Sequence, residues 1–388
     1  MTASQIAALL RDACDAWTVD EREVARRVGV DLEAARRALA GDADASEIAA
    51  VANALGGTLD DVLAQRRFWE APAAAFRNPP TRVESAVIRD ALLRVASVAR
   101  DRASLVALLA LPEEGLSASL APVQLVEPVP RQAEELATRA REVIGNGREP
   151  IASVRAAMRR LGVPTFLTSF GTPVVDGFSW RSGRERAAAA NSNARGGKVT
   201  ALRMTLAHEL CHVLFDGTLR QPFGVVEQRT DLADGLEQRA NAFAAYFLAP
   251  RESVVVFLRE RGLLTDAKPS ASDLRALSQH FIVGVEAMAW HLVNCHLWEP
   301  ADVQRHRHLA TMDPRGEDNV ELFPTAAEEL VPLERRGELL DLATVALERG
   351  VITLGRWREI LGLTIHDDYR QVLTERQVER DFEHRSVV

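Results

Sequence analysis

Three cysteines in 388 residues, Cys14, Cys211 and Cys295, are too few and too scattered for a disulfide framework or a thiolate zinc cluster. Any metal the chain holds must therefore sit on histidine and carboxylate. Basic residues are in deficit as well. With 47 of them against 55 acidic ones the formal charge is −8, which gives no general attraction to nucleic acid and confines DNA binding to a local surface. No apolar run reaches the roughly 18 residues of a membrane span, and the opening MTASQIAALLRDACDAW has acidic residues where a secretory leader is basic. A cytoplasmic protein with no membrane partner is the expectation, and no internal repeat is evident. What remains, 47% apolar and 26% charged residues, is the composition of a folded chain long enough for roughly two or three domains.

The first segment, 1–66, reads as a bundle of short amphipathic helices: EREVARRVGV (21–30), DLEAARRALAG (31–41), SEIAAVANALGG (46–57) and LDDVLAQ (59–65). Gly29 at the turn and Asp31 as the cap of the following helix fit a helix-turn-helix, and the helix order resembles the repressor-type (XRE-like) helix-turn-helix family. On that resemblance Arg36 and Arg37 are the candidate DNA contacts. Against DNA binding, residues 1–65 carry six basic and twelve acidic side chains, and the would-be recognition helix opens with Asp31, Leu32 and Glu33, which phosphates repel. A docking or homodimerisation bundle is the other reading. Residues 67–120 hold a Pro-containing linker, FWEAPAAAFRNPPT (68–81), and a connecting helix over 85–111, followed by the Pro-rich PEEGLSASLAPVQLVEPVP (112–130).

From 121 to 300 the pattern is α+β and mostly helical: two helices stopped by Gly145 and Gly162, short strands in VPTFLTSF, GFSW and AAAAN, then a helix containing TLAHELCHVLFD (205–216). His208 and His212 are four apart, about 40° from each other around a helix, so both imidazoles can face one ion. Glu209 then stands beside the ion without binding it, placed as a general base. A third ligand from a later helix and one position open to water complete a catalytic zinc. The candidate is Glu237 in LEQRANAFAAYFLAP (236–250), on a helix whose Ala240, Phe243, Ala244 and Phe247 would pack on the motif helix.

The pair T-L-A-H-E-L-C-H and E-Q-R-A-N-A-F-A-A-Y-F-L-A-P resembles the ImmA/IrrE family of zinc metallopeptidases. The likeness extends upstream through RRLG, Asn191 and Arg203 and downstream through LRALSQHFIVGVEAMAWHL (274–292). AFRN (75–78) and LLDLATVALERGVITLGRWREILGL (339–363) resemble the longer members that fuse a repressor-type domain to the peptidase. The resemblance implies a zincin-like domain with a small sheet and a helical C-terminal region, 301–388. It implies one Zn2+ per chain on His208, His212 and Glu237, with Glu209 as the base, and a protein substrate, a helix-turn-helix repressor, cleaved to derepress genes under stress, DNA damage or mobile-element induction. The alternative is a DNA- or repressor-binding regulator whose peptidase-like domain acts as a sensor. Cys211 stands where the family usually has Gly, Asp216 where a further His is common, and Met204 where Phe is frequent.

Other polar residues near the motifs have two readings each. Asp231 and Asp234 can orient a ligating imidazole or cap the Glu237 helix. Tyr246, His280 and His291 can polarise a substrate carbonyl or serve only structure. Cys211 is a thiolate switch on the metal or a small buried apolar residue.

Overall fold

The computed structural model describes residues 2–69, 85–112, 120–182, 185–217, 223–228, 234–263, 268–306, 308–309, 330–363, 367 and 369–374; of residues 85–87, 182, 185, 223 and 225–228 only the backbone is considered. It is mostly helical with one small sheet, an α+β architecture, and no described helix is long and apolar enough to cross a membrane. The chain divides into two compact units. One gathers described residues from Met1–Ala73, Ile88–Glu113 and Pro324–Val388, the other those from Ala74–Val87 and Glu114–Phe323.

In the first unit, α1 (Ala3–Trp17), α2 (Glu21–Val28), α3 (Leu32–Leu39), α4 (Ala45–Ala54) and α5 (Leu59–Leu63) each begin at a side-chain cap: Thr2, Asp20, Asp31, Asp44 and Thr58 accept backbone N–H groups of the first turn. Gly29 closes α2 at φ 76°, a left-handed conformation that a residue with a Cβ adopts only with strain. Leu10, Ala13, Trp17, Val24, Leu39, Val51 and Leu55 form the core between them. Phe68 and Trp69, which open the linker in the sequence reading, are buried in this same core.

The connecting helix α6 (Ser85–Leu108) belongs mainly to this unit. Its Arg89 donates to the carbonyls of Trp17 and Thr18 at the end of α1, and Asp90 accepts from Arg26 and Arg27 of α2. The C-terminal helices, numbered α15 (Glu338–Glu348) and α16 (Leu354–Leu361) after the second unit's, join it through ion pairs. Asp101 of α6 is 2% exposed and lies 2.9 Å from Arg335 and 3.5 Å from Arg356, which also reaches Asp60 of α5; Arg102 pairs with Glu338 at 2.8 Å. Burial pushes the Asp101 carboxyl above its usual range against the pull of the two guanidiniums. Residues 330–363 thus pack with the N-terminal helices, where the sequence reading set 301–388 apart as a region of its own.

The second unit holds α7 (Val129–Val143), α8 (Val154–Arg160), β1 (Thr165–Thr168), β2 (Val175–Ser182), β3 (Glu185–Asn191), α9 (Val199–Phe215), β4 (Phe223–Gln228), α10 (Gly235–Leu248), α11 (Arg251–Glu260), α12 (Ala271–Phe281), α13 (Val285–Asn294) and α14 (Pro300–His306). The strand order is β1-β3-β2-β4. β1 runs parallel to β3, and β2 antiparallel to both β3 and β4. In β3 the run Ala187–Ala190 is completely buried, and α9 packs on β2 and β3. Side chains this small let a helix lie close to a sheet; larger ones would hold it off. On its other side α9 meets α10, which also packs on α7; Phe215 of α9 is in ring contact with Phe243 of α10, which stacks on Phe247 of the same helix. The strand β4 was not anticipated from sequence.

The buried triad around Asp101 gives a direct stability test. Asp101→Ala strands Arg335 and Arg356 without their shared carboxylate, and removing one partner of a buried pair costs about 3 kcal/mol. Urea unfolding should show that loss; a change below about 1 kcal/mol would show that the two arginines are satisfied without it.

Candidate metal centre

Helix α9 is buried along almost its whole length, from Val199 to Phe215, so its polar residues are enclosed by protein rather than water. Two turns of it carry His208 and His212, whose Nε2 atoms face each other at 2.9 Å. Glu237, in the first turn of α10, completes a triangle. Its Oε2 lies 3.1 Å from His208 Nε2 and its Oε1 3.4 Å from His212 Nε2. Among the described residues this is the group of histidine, cysteine and acidic side chains that converges closely enough to hold an ion, with its ligand atoms within 4.8 Å of one another. A tetrahedral zinc with bonds of about 2.0–2.2 Å has ligand-to-ligand edges of about 3.3–3.6 Å. The triangle found needs only a few tenths of an ångström of expansion to match, and two imidazoles with one carboxylate are a donor set suited to zinc.

Each imidazole is also held by its other nitrogen. His208 Nδ1 is 3.2 Å from Asn241 Oδ1 on α10, and His212 Nδ1 is 2.6 Å from Asp216 Oδ2 at the end of α9. Burial opposes charge on His212, but hydrogen bonds to Asp216 and Glu237 and the attraction of both carboxylates outweigh it and hold its pKa well above the ordinary value. In the same way the two histidines overcome the burial of Glu237 and hold its carboxyl far below the usual range. A group of this kind, drawn together by opposite charge, is what a divalent cation would otherwise organise.

Glu209, wholly buried, faces β2. The reason it can do so is Gly177: a Cβ built there would stand 2.7 Å from Thr205 Cγ2 and 2.8 Å from Glu209 Oε1. No motif marked Gly177 in the sequence. The signal that would have found it is a glycine in a strand interior, where close approach of another element is the usual reason. Next to it Asp176 is paired with Arg195, 2.7 Å away, in the turn that leads into α9.

Asn191 and Arg203 brace this arrangement. Asn191 donates to the carbonyls of Thr172 and Val175, and Arg203 to those of Ile151, Ala152 and Ile282. Asp234 is the cap of α10, accepting from Leu236 N–H at 2.8 Å, and is exposed. Asp231 lies outside the described residues. Tyr246 donates to the carbonyl of Asn294, and His291 is 2.6 Å from the carbonyl of Ala249 and edge-on to Tyr246. Burial lowers the His291 pKa to about 4, so it is neutral, and burial raises that of Tyr246. His280 stacks on Phe257 at the surface. Asp234 thus fills the capping role, one of the two open to it, and the contacts of Tyr246, His280 and His291 are the structural ones just named. Cys211 is completely buried, and burial together with Asp216 pushes its thiol well above the ordinary pKa, which leaves it protonated and apolar in character.

Replacing Gly177 by Ala tests the close approach of helix and strand. Thr205 is stiff at χ1 and the Ala189 carbonyl is only 3.0 Å from the added carbon, so the strand or helix must shift. Overpacking of this kind costs about 1–3 kcal/mol, which chemical denaturation would read; an unchanged midpoint would mean that the side chains around Gly177 give way freely.

Residues 158–292, from the end of α8 to α13, match the family model Peptidase_M78, described as the IrrE N-terminal-like domain. No curated protein matches the chain. The matched stretch contains both histidines, Glu209 and Glu237, so the triangle of possible metal ligands sits inside a peptidase-like domain and the resemblance to the ImmA/IrrE family is supported over that stretch.

Proposed function

We propose that the chain is a zinc-dependent endopeptidase acting on a protein. The observation that carries this reading is the convergence of His208, His212 and Glu237 inside the peptidase-like domain, next to a carboxylate, Glu209, that takes no part in the triangle. Those three residues would hold the ion. Zinc on such ligands supplies Lewis acidity, polarising a carbonyl and bringing the pKa of a water into the neutral range.

The rest is the work of the chain's own residues. Glu209 accepts a proton from the attacking water as its oxygen forms a bond to the peptide carbonyl carbon. It then hands that proton to the amine nitrogen as the C–N bond breaks. Its buried position in α9, backed by β2 at Gly177, fixes its place through the reaction and excludes bulk water from one side.

For the substrate we infer a helix-turn-helix repressor, following the family resemblance, so that cleavage derepresses genes in response to stress, DNA damage or mobile elements. The N-terminal bundle is read as a helix-turn-helix-like docking unit rather than a phosphate-binding one. The observation behind that choice is that both candidate DNA contacts face carboxylates of the same bundle: Arg36 is 2.7 Å from Glu21 and Arg37 is 3.7 Å from Glu47. A phosphate would have to displace these partners on a surface with excess negative charge.

The test is metal content of purified protein, measured by mass spectrometry beside His208→Ala, Glu237→Ala and Glu209→Gln. About one zinc per chain is expected in the parent and in Glu209→Gln, with loss in both ligand variants. No uptake by the parent after reconstitution would overturn the proposal.

A further inference from the structure

Resting on the reading of a zinc site, we infer that Asp216, fixed by Arg239, is the positioning residue for His212: it accepts a hydrogen bond from Nδ1–H and turns Nε2 toward the shared point of the triangle.

Asp216 is 2% exposed and its two carboxylate oxygens are divided between two tasks. Oδ2 lies 2.6 Å from His212 Nδ1, while Oδ1 accepts from the guanidinium of Arg239, whose side chain is completely buried. Arg239 is in turn set by Gln132 Oε1 at 3.3 Å and the Val123 carbonyl at 3.4 Å. The backbone at Asp216 is held as firmly. Its carbonyl accepts from Arg181 of β2 at 2.5 Å, and Arg181 also donates to the Val213 carbonyl, so the open carbonyl end of α9 is closed by a buried guanidinium. His212 is thus the ligand at the end of a connected chain from Gln132 and Val123 through Arg239 and Asp216.

A carboxylate is acceptor-only, so an imidazole hydrogen-bonded to it through Nδ1 carries its proton there and presents a bare Nε2. That is the tautomer a metal requires. Desolvated in the interior, the Asp216 charge also raises the electron density of the ring and its basicity as a ligand. The helix α10 therefore serves the centre three times: Glu237 as a ligand, Asn241 at His208 Nδ1, and Arg239 at Asp216.

Partners of this kind are worth about 10–100-fold in metal affinity. The experiment is zinc affinity by chelator competition and the absorption spectrum of the cobalt-substituted protein, for the parent, Asp216→Ala and the double variant Asp216→Ala/Arg239→Met. The double variant is included because Asp216→Ala alone leaves Arg239 as an unpaired buried charge and is prone to misfolding. Melting temperature of the metal-free protein controls for fold. Zinc binding about 10–100-fold weaker in the double variant, with altered cobalt bands and a melting temperature near the parent's, is the expected result. Parent-like affinity and an unchanged spectrum in the double variant would overturn the inference, showing that Asp216 only neutralises Arg239. A parent protein that takes up no metal would overturn the zinc reading itself and this inference with it, an outcome distinct from metal uptake that the variant leaves unchanged.

Discussion

A helix buried on every side cannot leave its polar groups to water, and α9 is such a helix. It carries Arg203, His208, Glu209 and His212 into the interior, with Asp216 as its C-terminal cap. Every one of these costs free energy to bury unless the surrounding elements supply a partner or a counter-charge. Much of the second unit can be understood as that supply. The turns around Ile151 and Ile282 offer carbonyls to Arg203, β2 sends Arg181 to the carbonyl end of the helix, and α10 brings Glu237, Arg239 and Asn241. The alanine floor of β3 makes the enclosure tight, and Gly177 lets β2 reach Glu209.

Charge sets what can complete the centre. Glu209 and Asp216 are buried acids and Glu237 a half-buried one, with the guanidiniums of Arg181 and Arg239 bound at the end of α9. Neither guanidinium donates directly to the triangle: one binds backbone at the helix end, the other holds Asp216. The two imidazole nitrogens facing each other at 2.9 Å beside the Glu237 carboxylate form a set of ligand atoms suited to a divalent cation. The first unit solves a similar problem differently. There a single buried acid, Asp101, is shared by two arginines from the C-terminal segment, so that residues near 335 and 356 are tied to the connecting helix rather than trailing from it.

The convergence of His208, His212 and Glu237 was legible in the sequence because its spacing is geometric: two histidines four apart on one helix, and an acid one helix later followed by an apolar face. The small strands were legible too, even the run of alanines, which favours helix in isolation and is held in a sheet by its neighbours. β4 was not, because FGVVEQ is a short run with two apolar β-branched residues and no clear alternation, a pattern that only pairing with β2 decides. Asp216 was noticed only as a departure from the family pattern. Its role depends on Arg239, 23 residues away, and no local pattern couples the two. Sequence left two readings open for each of Asp234, Tyr246, His280 and His291, because the partners they meet, such as the Asn294 and Ala249 carbonyls, are fixed by tertiary packing. The grouping of the C-terminal helices with the N-terminal bundle has the same origin, since ion pairs between Asp101 and residues more than two hundred positions later leave no local trace.

Whether one zinc sits on these three side chains is read by zinc-edge X-ray absorption of the reconstituted full-length protein. Two imidazole nitrogens and light oxygen donors at about 2.0–2.2 Å, with the outer-shell signature of histidine rings, are expected. A shell containing sulfur at about 2.3 Å, or one of oxygen alone without imidazole scattering, would contradict that expectation.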